Sequence, residues 1–198
     1  YNVNPNLKFE VGTEEALRKF STEELKHFLG ELQYKLPKEI FNSIMYVVIQ
    51  SGVSLDVVNS KNTGNFNVQK LLDDISVVNS FGKLTKEHNG DFLNEEQHKI
   101  RFSNGLSTIN IGPEFSLMET ELYLQNMSEK DIDNFYEICY NSRKWVKWVS
   151  PSFDISDKRA LIKICGHYNY AAYKLPDISE LIITKIQNRL TELLSYVE

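Results

Sequence analysis

A short apolar strand, then polar residues, then an amphipathic helix: this order occurs four times in succession, and it restricts the fold more than any other feature. Strands are expected over residues 7–11, 44–50, 83–87 and 107–112, with helices starting near Glu23, Asn67, Leu93 and Glu114. Strands that alternate with helices form βαβ units and a parallel sheet. Right-handed crossovers then place the four strands side by side in chain order, with their carboxyl ends together. Ile44-Met-Tyr-Val-Val-Ile49 is nearly all apolar, as a parallel strand covered on both faces requires.

Local signals mark the boundaries. Ser21-Thr-Glu-Glu24 has the spacing of a capping box, and Pro37 ends the helix that follows. Residues 56–67 are rich in Asn, Ser and Gly and are expected to form a long loop. Asn104-Gly105 is a helix stop, and Pro113 suits the first position of a new helix. Beyond Asn126 no strand is expected. Residues 128–148, 156–173 and 177–197 are expected to be three helices, the last two capped by Ser156 and by Pro176-Asp177. The domain reading is therefore residues 1–126 for four βα units and 127–198 for a helical extension.

Active sites in parallel sheets lie at the carboxyl ends of the strands. Those ends are Glu10-Val-Gly-Thr-Glu14-Glu15, Gln50-Ser51-Gly52, Glu87-His88-Asn89-Gly90-Asp91 and Asn110-Ile-Gly112-Pro113-Glu114. Glu10 and Glu14 are candidate catalytic carboxylates, since a general base or a metal ligand needs such a group. Glu14 and Glu15 also suit the start of a helix through its dipole. His88 is the candidate metal ligand, and one histidine falls short of the three or four ligands that zinc requires. Gln50, Ser51, Asp91 and Gly112 are candidate substrate contacts. Gly112 could offer backbone amides to a phosphate, or could be a plain strand-to-helix turn. Cys165-Gly166-His167 is read as packing, and the tail aromatics Trp145, Trp148, Tyr168, Tyr170 and Tyr173 as core or subunit contact.

Composition removes several classes. A net charge of −5 argues against holding a nucleic-acid backbone. No apolar run is long enough to span a bilayer, so no membrane partner is expected. Two cysteines make no disulfide framework, which suits a cytoplasmic setting. No glycine-rich phosphate loop or serine nucleophile elbow is present. The chain starts with Tyr, so a cut or processed amino terminus is expected.

Four segments carry a family resemblance. Phe9-Glu-Val-Gly-Thr-Glu-Glu15, Val47-Val-Ile-Gln-Ser-Gly-Val53, Lys86-Glu-His-Asn-Gly-Asp91 and Asn104-Gly-Leu-Ser-Thr-Ile-Asn-Ile-Gly-Pro-Glu-Phe115 occur in order and at the spacing of one family. They resemble strand ends of the tagatose-bisphosphate aldolase accessory, or non-catalytic, subunits. These belong with the class II ketose-bisphosphate aldolases, which are (β/α)8 barrels. The resemblance covers residues 7–125. It implies an α/β fold that is the C-terminal half of a TIM barrel, four parallel βα units followed by a helical tail. It implies a role in sugar-phosphate metabolism beside a catalytic aldolase subunit or a missing N-terminal half, as a homo- or hetero-oligomer. The catalytic enzymes bind Zn²⁺ through several histidines, and His88 would match one of them. Gln50-Ser51-Gly52 lacks the histidine those enzymes carry there, which argues against independent aldolase activity. A divalent metal, Zn²⁺ or Mg²⁺, in a full-length protein stays open. The alternatives are a barrel domain of a larger metal-dependent sugar-phosphate lyase, or a non-enzymatic interaction domain. As half a barrel, the sheet would leave Val11, Val48, Ile49 and Ile111 in need of cover from missing sequence, a second copy or the helical tail.

Overall fold

The computed structural model describes residues 3–12 and 18–197. In chain order the elements are β1 (Phe9–Val11), α1 (Thr22–Lys35), α2 (Lys38–Ser43), β2 (Ile44–Val48), β3 (Leu55–Asp56), β4 (Lys61–Asn62), α3 (Val68–Ser80), β5 (Leu84–Glu87), α4 (Glu95–Ser103), β6 (Thr108–Ile109), α5 (Pro113–Asn126), α6 (Glu129–Ser142), α7 (Lys158–Cys165) and α8 (Ser179–Ser195). Four strands form one parallel sheet in the order β1-β2-β5-β6. The strands that the alternation predicts are thus adjacent, parallel and in chain order.

Two compact units emerge. One runs through Leu55 and resumes over Asn62–Ile111; the other is Gly112–Tyr196 together with Asp56–Lys61. The first unit holds the whole four-stranded sheet.

Register sorts the sheet's side chains. Val11 pairs with Val47, Val47 with Thr85, and Glu87 with Ile109. Paired residues of neighbouring strands share a face. This face packs on α1 and α3: Val47 and Ile49 form one core with Leu25, Leu29, Leu71, Ile75 and Val78, with Val11 and Ile109 against it. Each such aliphatic side chain, fully buried, stabilises the fold by roughly 1.5–3 kcal/mol. The opposite face carries Glu10, Tyr46, Lys86 and Thr108. The expectation that Val11 and Ile49 await outside cover is therefore corrected. They lie on the helix-covered face, and Ile49 is buried. Val48 is also buried, on the face of Glu10 and Lys86; Gly12 lies so near that a Cβ on it would stand 2.3 Å from Val48 Cβ.

The helix starts follow their caps. Ser21 and Glu24 form the expected capping box at α1, and Asn67 caps α3 through Lys70 N. α2 is not expected from the sequence. Pro37 both stops α1 and occupies the cap of α2, because the missing amide that breaks a helix interior costs nothing at a helix start. β6 is shorter than expected because side chains take over its first ladder bonds. Thr85 N donates to Ser107 Oγ at 3.2 Å and Ser107 N to Thr85 Oγ1 at 3.0 Å. The expected loop 56–67 overlaps the short two-stranded pair β3–β4, which begins at Leu55.

The second unit is helical. Leu117, Ile132, Phe135, Cys139, Leu161, Ile162 and Cys165 are buried in it. Both cysteines are free, as expected. Ser128 caps α6, while α7 is capped by Asp157 rather than Ser156. No side chain caps α8; the Asp177 carboxylate instead accepts from Ser179 Oγ at 3.0 Å. The segment expected as one helix over 156–173 breaks after Cys165 into 3-10 turns at Gly166–Tyr168 and Tyr170–Ala172.

Candidate functional site

Two polar clusters stand at the carboxyl ends of the first unit's strands, one on each face of the sheet. The split follows from the pleat. Lys86 and His88 are two apart and share one face; Glu87, between them, points to the other.

On the first face the Glu10 carboxylate joins two bases from β5 and the turn after it. Lys86 Nζ donates to Oε2, and His88 Nε2 lies 2.7 Å from Oε1. The Lys86 ammonium also stands 5.8 Å from the Tyr46 ring centroid. The three side chains are partly exposed, at 32 % for Glu10, 16 % for Lys86 and 24 % for His88, so solvent and small molecules reach them. Burial alone would raise the Glu10 pKa. The hydrogen bonds and charges of Lys86 and His88 outweigh it and hold the carboxyl below its usual range. Glu10 is thus ionised at neutral pH, and a carboxylate at a ring nitrogen fixes the orientation of the imidazole.

The turn carrying His88 is itself clamped. Asn62 Nδ2, from β4, donates to the carbonyls of Asn89 at 2.9 Å and Asp91 at 3.1 Å. Its Oδ1 accepts from Ser54 N and Gly64 N, both at 3.2 Å. Asn89 takes a left-handed conformation, φ 58°, which asparagine tolerates better than most residues.

On the second face Glu87 is fully buried between Ser51 and Arg101. Ser51 Oγ donates to Oε1 and Arg101 Nε to Oε2 at 2.7 Å. Arg101 also donates to the Gln97 carbonyl at 3.0 Å and lies 4.1 Å over the Phe66 ring. Both charges are almost wholly shielded, at 1 % and 0 % exposure. This is an internal strut and not a surface for a ligand.

The structure therefore brings Glu10 and His88 together and adds Lys86, which sequence reasoning passed over. The alternation of Leu84-Thr-Lys86-Glu-His88 carried that signal. Ser51 is 1 % exposed and engaged with Glu87. Gln50 is 4 % exposed; its Nε2 donates to Arg18 O at 3.0 Å and its Oε1 accepts from Phe20 N at 2.8 Å. Asp91 is 1 % exposed. Gly112 is exposed and belongs to the second unit; it caps α5, and its carbonyl accepts from Phe115 N at 3.1 Å. Glu14 and Glu15 lie outside the described residues.

Glu10 and His88 are two candidate ligands, and they bond to each other. Among the described residues no group of three His, Cys, Asp or Glu side chains converges as a metal shell. These residues do not fit a catalytic metal centre, which needs at least three protein ligands.

No protein-family model and no curated relative matches the chain. Solved structures share its fold. A protein described as a probable tagatose 6 phosphate kinase from Sinorhizobium meliloti 1021 superposes with a TM-score of 0.60 at 14 % identity, over 96 % of this chain and 62 % of the other. A fructuronate-tagaturonate epimerase from Cohnella laeviribosi superposes with a TM-score of 0.56 at 11 % identity, over 96 % of this chain and 43 % of the other. The chain thus spans less than two thirds of the length of either structure. Among the described residues no helix is long and apolar enough to cross a membrane.

Proposed function

We propose that this chain is the C-terminal part of an aldolase-like (β/α)8 barrel in sugar-phosphate metabolism, acting as an accessory, non-catalytic subunit of a tagatose-bisphosphate aldolase. The observation that carries the reading is the Glu10–His88–Lys86 cluster. It sits at the carboxyl ends of a parallel sheet whose four strands follow chain order. The descriptions of both structural neighbours name tagatose-type sugars, which supports the substrate class. An ionised carboxylate and an imidazole suit the hydroxyls of a sugar, and an ammonium suits its phosphate. Ser51, bonded to Glu87, shapes the strand end from behind. Glu14 stays a candidate second carboxylate and Gly112 a candidate phosphate contact.

No step is assigned to a metal, and the chain alone is expected to cleave no ketose bisphosphate. The test mixes it with a catalytic class II tagatose-bisphosphate aldolase. Light scattering should report a joint complex, and the half-life of tagatose 1,6-bisphosphate cleavage at elevated temperature should lengthen. Cleavage by the chain alone, lost in His88→Ala, would overturn the accessory role. Failure both to join the catalytic subunit and to bind the bisphosphate would overturn the aldolase reading.

A further inference from the structure

The second unit carries a basic and aromatic island in a chain of net charge −5. Arg143-Lys144-Trp145-Val146-Lys147-Trp148 places three cations within six residues. Two of them converge on one ring. Lys144 Nζ is 5.6 Å and Lys147 Nζ 5.3 Å from the Tyr168 centroid, and Lys147 Nζ is 4.5 Å from the Trp148 ring. Lys144 Nζ is anchored by the Tyr168 carbonyl at 3.0 Å. Arg143 covers the Trp145 ring at 5.4 Å. The His167 ring lies against Tyr168, with centroids 3.8 Å apart.

What the island lacks is carboxylates. Among the described residues none of its three cations forms an ion pair with a carboxylate, in contrast to Lys158, Arg159 and Lys163 of the same unit. Trp148 Nε1 and His167 Nδ1 are buried with no hydrogen-bond partner. Buried polar atoms without a hydrogen-bond partner are rare in folded proteins and point to a group still to be supplied. Two ammonium groups at one ring also repel each other until an anion stands between them.

We propose that Lys144, Lys147, Trp148, His167 and Tyr168 form a binding site for a phosphate monoester. A phosphate monoester carries close to two negative charges and three strong acceptor oxygens, which matches two ammonium groups and a nearby N–H donor. Lysines bind it as point charges without the fork geometry that arginine imposes. Each ammonium already stands near an aromatic ring, which limits the freedom lost on binding. Burial, then the charges of Lys147 and Lys144, hold the His167 pKa low in the free protein. A bound dianion reverses the charge part of that effect. The site is independent of the Glu10 cluster, so either reading can fail without the other.

The test titrates inorganic phosphate into the whole chain at constant ionic strength, with sodium chloride making up the balance. NMR follows the Trp148 indole N–H and the His167 imidazole. Both signals should move saturably, and the His167 pKa should rise. Lys144→Ala/Lys147→Ala should weaken binding at least tenfold, and Lys147→Gln alone should weaken it in the same direction. Lys99→Ala, at an exposed lysine of α4, should leave it unchanged. Glycerol 3-phosphate and vesicles of phosphatidylcholine with phosphatidic acid separate the sources. Saturable binding of the free ester without vesicle sedimentation assigns a soluble phosphate ester. Sedimentation that needs phosphatidic acid and both lysines assigns a lipid phosphate. Shifts reproduced by chloride, absent saturation, or binding that survives the double substitution would each overturn the proposal.

Discussion

Glu10 accepts from both Lys86 and His88, so its carboxyl should titrate below the ordinary value of 4.5. A depressed carboxyl contributes stability that is fully present above the unfolded-state pKa and lost as pH falls through the folded-state pKa. Carbon-detected NMR titration of Glu10 should give the lowered value, and Lys86→Met should move it back up. Glu87 behaves differently because nothing dilutes its charge. Arg101→Ala leaves a carboxylate buried without its cation, which should cost about 3–5 kcal/mol in denaturant unfolding. Glu87→Leu/Arg101→Met should recover most of that loss, because removing both charges removes the unpaired one. The two glutamates also explain what the sequence could and could not reveal about the site. Glu10 and His88 were legible as strand-end residues. Glu87 adjoins His88 in sequence, which suggested a shared site, yet the pleat sends the two to opposite faces. Lys86 was hidden by the same habit of counting neighbours along the chain instead of every second residue.

Three helix starts were legible because a cap or a proline announced them. Ser21 with Glu24, Asn67 and Pro113 marked helix starts that the structure keeps. α2 was not legible, because its six residues are too few to display a period and Pro37 signalled only an ending. β6 was overestimated because the hydroxyls of Ser107 and Thr85 replace backbone ladder bonds that a strand pattern assumes. The close approach of β1 and β2 gives a sharper test of the sheet. A Cβ on Gly12 would stand 2.3 Å from Val48 Cβ, and Val48 is a β-branched strand residue with little freedom to turn away. Gly12→Ala should therefore force β1 and β2 apart and lower stability by about 1–3 kcal/mol. Thermal unfolding of Gly12→Ala against Gly12→Ala/Val48→Ala measures it, and the second substitution should relieve part of the strain. If the single variant melts at the wild-type temperature, the Gly12–Val48 approach does not limit the packing of the two strands.

At the scale of the whole molecule, the pattern along the chain carried the parallel sheet, and the two compact units part at Gly112. The four βα repeats look alike in sequence, yet α5 groups with the helices after it while α1, α3 and α4 stay with the sheet. The buried residues of α5 are Glu114, Leu117, Thr120 and Leu124, a mixed stripe that does not declare its neighbour. Glu114 finds Arg189 of α8 at 2.6 Å, a long-range pair that no local signal predicts. The same limit applies to exposed apolar surface. Half a barrel suggested that Val48 and Ile49 would be uncovered, and both are buried. A row of three exposed apolar residues shares one face of α8: Ile183 at 54 %, Leu190 at 44 % and Leu194 at 62 %. Spacings of seven and four keep the three on one side of the helix. Their inward neighbours Ile182 and Arg189 hold α8 in place, so substituting the outer three should leave the fold intact. Ile183→Lys/Leu190→Gln/Leu194→Glu should therefore remove most of the binding of a hydrophobic dye to the native chain. The thermal midpoint should stay within a few degrees of wild type, since surface substitutions usually change stability by less than about 0.5 kcal/mol. Dye binding that persists in this triple variant would rule out the α8 row as the main dye site and shift it to other exposed apolar residues, such as Val68 and Leu72 of α3.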